Sequence, residues 1–231
     1  MRRKLLFFPL LVMVLLLPLQ SCAFVYSAEP IEGWVVDAET GKPLEGVNIV
    51  AHWQLRGGVM EDNPIAQIHI DEAITDQNGR YAFKGWGPKF ALLGHLRSES
   101  PGLIFFKSGY KYLGLLNMLG NSTSKSDWNK KTVKMERFKG TLKEYAEYLS
   151  STSLSSLWYI GFAAPTGGKS GRHCGFTSFP QMLRALDKLE SEYRAAGITH
   201  GTVVSDLKSS DNLLKDTGCG SVFDILGGGK K

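Results

Sequence analysis

The fold is decided by Ile31-Glu-Gly-Trp-Val-Val-Asp-Ala-Glu-Thr-Gly-Lys-Pro-Leu-Glu-Gly-Val-Asn-Ile49 and by Thr75-Asp-Gln-Asn-Gly-Arg-Tyr-Ala-Phe83. In the first stretch apolar residues alternate on both sides of a turn that contains Gly and Pro, a pattern typical of two strands joined by a tight reversal. In the second, Asn78-Gly79 lies between two short apolar runs, and Asn-Gly readily adopts the positive φ of a hairpin turn. The two stretches therefore predict paired antiparallel strands.

Similar alternation through the first part of the chain predicts seven strands, near residues 31–37, 46–53, 66–76, 79–84, 102–107, 110–116 and 131–137. Short strands separated by regular turn signals are typical of an antiparallel β-sandwich. The Gly- and Pro-containing segments 55–64 and 85–101 are predicted to be loops of this sandwich.

From about Gly140 the apolar spacing changes to that of a helix. Thr141 and Glu144 form a capping box that predicts a helix start, and Ser178-Phe-Pro-Gln181 repeats the start signal. A third short helix is predicted near 210–216, whereas 157–162 fits a buried strand or a helix equally well. The chain is therefore predicted to be mainly β, a seven-strand transthyretin-like or Ig-like sandwich over 28–137 followed by a small, mostly helical region over 138–231.

Three pieces of the sandwich sequence carry a family resemblance: 35–47, the hairpin 75–83, and Lys107-Ser-Gly-Tyr110. They resemble the carboxypeptidase regulatory-like domain family, whose members are small transthyretin-like sandwiches. The resemblance covers about residues 30–115. It implies a scaffold with no catalytic residues or cofactor of its own.

The first 22 residues are predicted to be a targeting segment. A basic start is followed by an apolar core of about 13 residues, shorter than the roughly 20 that a membrane-spanning helix needs. Leu19-Gln-Ser-Cys22 resembles a bacterial lipobox, in which Cys22 becomes the lipidated N-terminus, and Ala23 after it favours the outer membrane. We therefore expect a cell-envelope protein held to the membrane by an N-terminal lipid. Ordinary cleavage after Ala23, giving a soluble periplasmic or secreted protein, stays open.

Export also bears on the other two cysteines and on the charge. Cys174 and Cys219 are predicted to form a disulfide, since an even pair in an oxidising compartment is most simply a bridge. The alternative is an enzyme with a thiol site around Cys174, His173 and His200. Removing the three basic residues of the targeting segment leaves 24 basic against 22 acidic side chains, a net charge of +2, and no basic run indicates a nucleic-acid partner.

Two further motifs suggest chemistry only weakly. Ala163-Ala-Pro-Thr-Gly-Gly-Lys169-Ser170 has the spacing of a phosphate-binding loop, but the sequence after it is a poor helix former, and a Gly-rich surface loop is the favoured interpretation. His69 and Asp71 share one face of a predicted strand and could bind a metal if His52 of a neighbouring strand aligned with them. We expect no metal site and no cofactor.

The loops 53–64 and 85–100 are the expected contact surface, because loops at the end of a sandwich commonly carry binding sites. The residues expected there are Trp53, Arg56, Trp86 and Lys89. Packing at the end of the core is the alternative for the tryptophans. The sequence thus favours a non-enzymatic binding or structural module of the cell envelope. Besides the thiol enzyme, an accessory subunit that binds an envelope protein or a glycan through these loops is the other alternative.

Overall fold

The computed structural model describes residues 24–57, 63–91, 94–118, 123–151, 154–161 and 174–227. Within these ranges three layers lie one on another: a three-stranded sheet, a five-stranded sheet and a layer of helices. None of the described helices is long and apolar enough to cross a bilayer. The strands are β1 (Phe24–Ala28), β2 (Ile31–Asp37), β3 (Asn48–Gly57), β4 (Asn63–Ile74), β5 (Arg80–Phe83), β6 (Trp86–Ala91), β7 (His95–Leu96), β8 (Gly102–Phe106), β9 (Leu113–Leu115) and β10 (Lys131–Met135). The helices are α1 (Leu142–Ser151), α2 (Leu154–Gly161), α3 (Pro180–Ala195), α4 (Val203–Ser209), α5 (Asp211–Asp216) and α6 (Val222–Leu226).

The seven predicted strands are all present, as β2, β3, β4, β5, β8, β9 and β10. The strand count is wrong, because β1, β6 and β7 are additional, and two of these lie inside the segment 85–101 that was predicted to be a loop. The all-antiparallel arrangement is also wrong, since β10 pairs with β2 in parallel. Alternation of apolar and polar residues has the same period in both kinds of pairing, so the sequence pattern could not distinguish them.

The two larger sheets face each other across a common core. One sheet has the order β10-β2-β5 and the other the order β4-β3-β8-β9, with β7 paired to β3. Apolar side chains of both sheets fill the space between them, among them Val35, Ile49, Tyr81, Phe105 and Val133. The predicted mainly-β sandwich is therefore confirmed at the level of its two facing layers.

Asp37 holds the turn that follows β2. The strands on either side of this turn do not form the predicted hairpin, because β2 and β3 lie in different sheets. One carboxylate oxygen accepts the backbone N–H groups of Glu39 and Thr40 at 3.0 and 2.9 Å. The other accepts the Tyr110 hydroxyl at 2.9 Å and Nε of Arg137 at 2.8 Å. These bonds, the one from the Thr40 backbone first, hold the pKa of Asp37 well below its usual range. One side chain thus ties the turn to two later parts of the sandwich.

The five-stranded sheet is covered on its outer face by the helices. Val50 of β3 and Ile104 and Phe106 of β8 point away from the sandwich core and belong to one apolar cluster with α1 to α6. β8 is consequently buried on both faces along its whole length. The apolar stripe predicted for α3 is buried against this cluster, and the ambiguous segment 157–162 is helical as far as Gly161.

The two predicted helix starts differ in how they are capped. Thr141 and Glu144 form the expected capping box, with Glu144 N–H donating to the threonine hydroxyl at 3.2 Å. The start of α3 has no side-chain cap from its own segment. Instead Glu72 of β4 accepts the N–H groups of Gln181 and Met182 at 2.9 and 2.6 Å. A carboxylate from the sheet therefore fixes the position of α3 as well as satisfying its free N–H groups.

The disulfide between Cys174 and Cys219 is present, with a Cα–Cα distance of 5.2 Å. It joins the 3₁₀ turn Gly175–Ser178 to the segment between α5 and α6. This prediction from the sequence is confirmed.

Candidate functional site

A cavity of about 530 Å³ lies on the outer face of the five-stranded sheet, where α2 covers it. Its size falls within the range that is common for small-molecule sites. The residues that line it come from β3, the start of β4, the segment after β7, β8, β9 and its flanks, and α2. They are His52, Gln54, Arg56, Pro64, Arg97, Gly102, Leu103, Ile104, Tyr112, Gly114, Leu115, Leu116, Tyr159 and Ile160.

The polar wall of the cavity comes from β3 and from the segment after β7. Successive polar side chains of β3 that alternate with the core residues of that strand, His52, Gln54 and Arg56, all reach the cavity. Arg97 is placed beside them because its backbone N–H donates to the carbonyl of Gln54 at 2.8 Å. Its Nε also contacts Glu99 at 3.2 Å.

Two arginine side chains line this wall, and none of the described residues that line the cavity is acidic. Glu99, which pairs with Arg97, lies next to the cavity and offsets part of this charge. Arginine keeps its proton at any physiological pH. An anionic group would therefore be attracted to this side of the cavity.

His52 adds an imidazole to the same wall. Its Nδ1 lies 3.3 Å from Oε1 of Gln67. Burial, together with the charge of Arg97, lowers the pKa of His52 to about 4, so the ring is neutral at neutral pH. The ring covers Gly102 of β8, where any Cβ would clash with Nε2.

The remaining wall is apolar. β9 and its flanks contribute Leu115, Leu116 and Tyr112, and α2 contributes Tyr159 and Ile160. Tyr159 and Leu116 are 61% and 43% exposed, so the cavity opens to solvent beside them. A cationic wall opposite an apolar one suits a molecule with an anionic group on an apolar body.

The four predicted contact residues do not form one site. Trp53, Trp86 and Lys89 come together with His69 on the sandwich side of β3 and β4. The ring centroids of the two tryptophans are 5.3 Å apart, and Lys89 Nζ lies 2.9 Å from Nδ1 of His69. Arg56 is separate from them, because its side chain lines the cavity on the opposite face of the sheet.

The cluster around Trp53 is packed and largely closed. Trp53 is only 1% exposed, so the packing interpretation holds for this residue. Burial and the neighbouring ammonium of Lys89 lower the pKa of His69 to about 4, and burial also lowers the pKa of Lys89. Lys89 Nζ donates to the carbonyl of Ile68 at 3.0 Å as well. For Trp86 and Lys89, contact with a ligand stays a prediction.

The structure also bears on the weaker chemical hypotheses. In the pairing of β3 with β4, His69 lies opposite Trp53 and His52 lies opposite Ile70, so the two histidines point to opposite faces and cannot bind one metal together. The described residues contain no cluster of three or more potential metal ligands. Cys174 is bonded to Cys219 and is therefore not a free nucleophile in this state. His173, the loop 163–170 and Cys22 with the targeting segment lie outside the described residues.

The predicted contact segments 53–64 and 85–100 contain four residues of the cavity, Gln54, Arg56, Pro64 and Arg97, although only Arg56 was singled out. The contributions of β8, β9 and α2 were not predicted to join them, because these elements lie far apart in the chain. One signal was available in the sequence of β3. His52, Gln54 and Arg56 follow Val50 at every second position, so all four lie on the face of the strand opposite the sandwich core. A long strand that is polar on the helix-covered side indicates a lined cavity or a wet interface.

Comparisons with known proteins add no function. No family model matches the sequence, and no curated protein matches it. Among solved structures, the chain is similar to a 3-chlorocatechol 1,2-dioxygenase from Rhodococcus opacus 1CP, at 16% identity and a TM-score of 0.32 over 50% of this chain and 62% of that one. It is also similar to a streptococcal ancillary pilin, at 13% identity and a TM-score of 0.27 over 48% of this chain and 30% of that one. Each match spans less than two thirds of the solved structure, and at these TM-scores the similarity carries no argument.

Proposed function

We propose that this chain is an exported, lipid-anchored binding protein of the cell envelope that holds an amphipathic carboxylate in the cavity beneath α2. The observation that carries the proposal is the composition of the cavity. Arg56 and Arg97 offer charge to a carboxylate, and neutral His52 offers a hydrogen-bond partner to a neighbouring polar group. The wall from β9 and α2 would take the apolar body of the ligand.

The proposal is for binding without chemical turnover. The polar wall supplies two arginines, one of them paired with Glu99, and one neutral imidazole, a set suited to holding an anion. The cysteine of the rival thiol-enzyme hypothesis is engaged in a disulfide. We further propose that the sandwich belongs to the carboxypeptidase regulatory-like type, which would make it the scaffold for this site, and that Cys22 carries the lipid anchor.

Decanoate and decanol test the proposed ligand class, because they share a chain and differ in charge. We expect the mature protein to bind decanoate measurably by titration calorimetry and to bind decanol at least about tenfold more weakly, since a charge-assisted bond contributes roughly 1.5–3 kcal/mol. Arg97→Gln should remove most of this preference. Lys134→Gln changes an exposed lysine of β10 that does not line the cavity and is the matched control. Equal binding of both probes, or a decanoate affinity that survives the change at Arg97, would sink the proposal.

A further inference from the structure

β1 and β6 form a separate two-stranded ribbon on the sandwich. Val25 lies opposite Phe90 and Tyr26 lies opposite Lys89 in an antiparallel register. Residues directly opposite each other in such a pair project from the same face. The ribbon therefore has two distinct faces, one carrying Val25 with Phe90 and the other carrying Tyr26 with Lys89.

The inner face of the ribbon is fixed to the sandwich. The hydroxyl of Tyr26 accepts the backbone N–H of Leu96 at 3.1 Å, and Lys89 Nζ reaches the carbonyl of Ile68. Ala28 and Ala91 are buried in the sandwich core. The only charged side chain of the two strands, Lys89, is thus on the inner face.

The outer face is uncharged and exposed. Val25 is 55% exposed and Phe90 is 64% exposed, although both are large apolar residues. Ser27 and Pro88 beside them are also exposed and uncharged. Val25 and Phe90 thus form a small exposed apolar pair with no charged side chain on the same two strands facing outward.

The position of this face in the chain bears on its partner. Val25 follows Cys22 by three residues, and an extended chain advances at most about 3.6 Å per residue, so the two lie within about 11 Å of each other. This step rests on the proposed function, in which Cys22 carries the lipid anchor. Apolar faces of membrane-surface elements are buried about 5–10 Å into the headgroup and acyl boundary. The ribbon is therefore held within reach of that boundary.

We infer that the outer face of the β1–β6 ribbon lies in the interfacial region of the bilayer, with Val25 and Phe90 as the inserted side chains. The partner is the lipid surface itself, and the ribbon is a second attachment beside the acyl chains. Because the face is uncharged, the contact does not depend on anionic lipid. It also orients the molecule, since the ribbon is fixed to the sandwich through its inner face.

An environment-sensitive nitrobenzoxadiazole label tests this contact in the lipidated protein. It is attached in phosphatidylcholine vesicles to Phe90→Cys and, as the control, to Leu213→Cys. Leu213 of α5 is 62% exposed and so matches Phe90 in exposure, and the native disulfide leaves Cys174 and Cys219 unreactive. We expect the emission at position 90 to shift to the blue and to be quenched by spin-labelled lipid. The label at position 213 should remain water-like.

The outcomes separate this inference from the proposed function. Mass spectrometry that shows lipid on Cys22, with a water-like label at position 90, overturns the membrane contact alone. Mass spectrometry that shows no lipid overturns both the anchor and the contact, while the cavity is tested independently by decanoate binding. A blue shift at position 90 that occurs without vesicles and grows with protein concentration indicates a second copy of the chain as the partner and also overturns the contact.

Discussion

The variants Phe106→Ala and Phe105→Ala test whether the sandwich core and the apolar cluster of the helices unfold as one unit through the strand β8 that they share. The two side chains are neighbours in β8, both are 0% exposed, and they point into different clusters. Phe106 packs with the helices and Phe105 with the sandwich. Removal of a buried phenylalanine side chain costs about 3–5 kcal/mol of unfolding free energy, a large share of the roughly 5–15 kcal/mol of a typical domain. We expect each variant to lose about 4 kcal/mol.

Urea unfolding followed by two signals checks this expectation. Far-UV circular dichroism reports chiefly on the helices, whereas tryptophan fluorescence reports mainly on the sandwich, because Trp34, Trp53, Trp86 and Trp128 lie in that region and only Trp158 lies on a helix, α2. Because β8 belongs to both clusters, both variants should shift both signals together. If Phe106→Ala lowered only the helical transition and left the fluorescence transition in place, the helices would unfold as a separate unit and the reasoning would be wrong.

Three further predictions concern the disulfide, the opening turn and one tight contact. Replacing Cys174 and Cys219 together by Ala should lower the free energy of unfolding by about 4 kcal/mol, since the bridge closes a loop with a sequence separation of 45, and equilibrium urea unfolding measures the loss. The pKa of Asp37 is lower in the folded protein than its ordinary value of 3.8. The ionised carboxylate therefore stabilises the fold at any pH above 3.8, and this stabilisation is lost as the pH falls below 3.8. Asp37→Asn should therefore lower the melting temperature at neutral pH and flatten its decline in acid; an unchanged acid profile would contradict this. Gly175→Ala should weaken decanoate binding several-fold, because the new Cβ clashes with the backbone carbonyl of Ile160 in the cavity wall, and a backbone carbonyl cannot move aside as a side chain can. Titration calorimetry measures the change in affinity, and the melting temperature shows whether the variant is folded.

The elements that could be predicted are those whose signal is local. Alternation identified all seven principal strands, and a turn does lie at Asn78-Gly79. The hairpin predicted there is wrong, because β4 and β5 lie in different sheets and β5 pairs with β2. The capping box at Thr141 and the spacing of apolar residues identified α1 and α3. The disulfide could be predicted because an exported protein is in an oxidising compartment and because, once Cys22 was assigned to the lipid, Cys174 and Cys219 were the two cysteines that remained.

What could not be predicted depends on long-range pairing. The sequence does not state which strand lies beside β2, so the parallel partner β10 was missed. Glu72 is 109 residues away in sequence from the first N–H group that it caps, so no local sequence motif could predict this cap. The run Gly102–Phe106 is apolar at four successive positions, a pattern that is typical of strands covered on both faces and that could have placed helices over this sheet.

The helical layer is what turns one face of a sandwich into a site. Without α2, the polar row of His52, Gln54 and Arg56 would be an ordinary solvated strand face, since nothing would exclude water from it. α2 packs against the segment 175–179: a Cβ added at Gly161 would lie 3.4–3.5 Å from Phe179 and Phe176, and a Cβ added at Gly175 would clash with the carbonyl of Ile160. The 3₁₀ turn Gly175–Ser178 directly follows Cys174. The disulfide therefore fixes the segment on which α2 packs, and α2 in turn forms part of the cavity wall. The sandwich supplies the arginines, and the disulfide-linked helices supply part of the apolar wall that faces them.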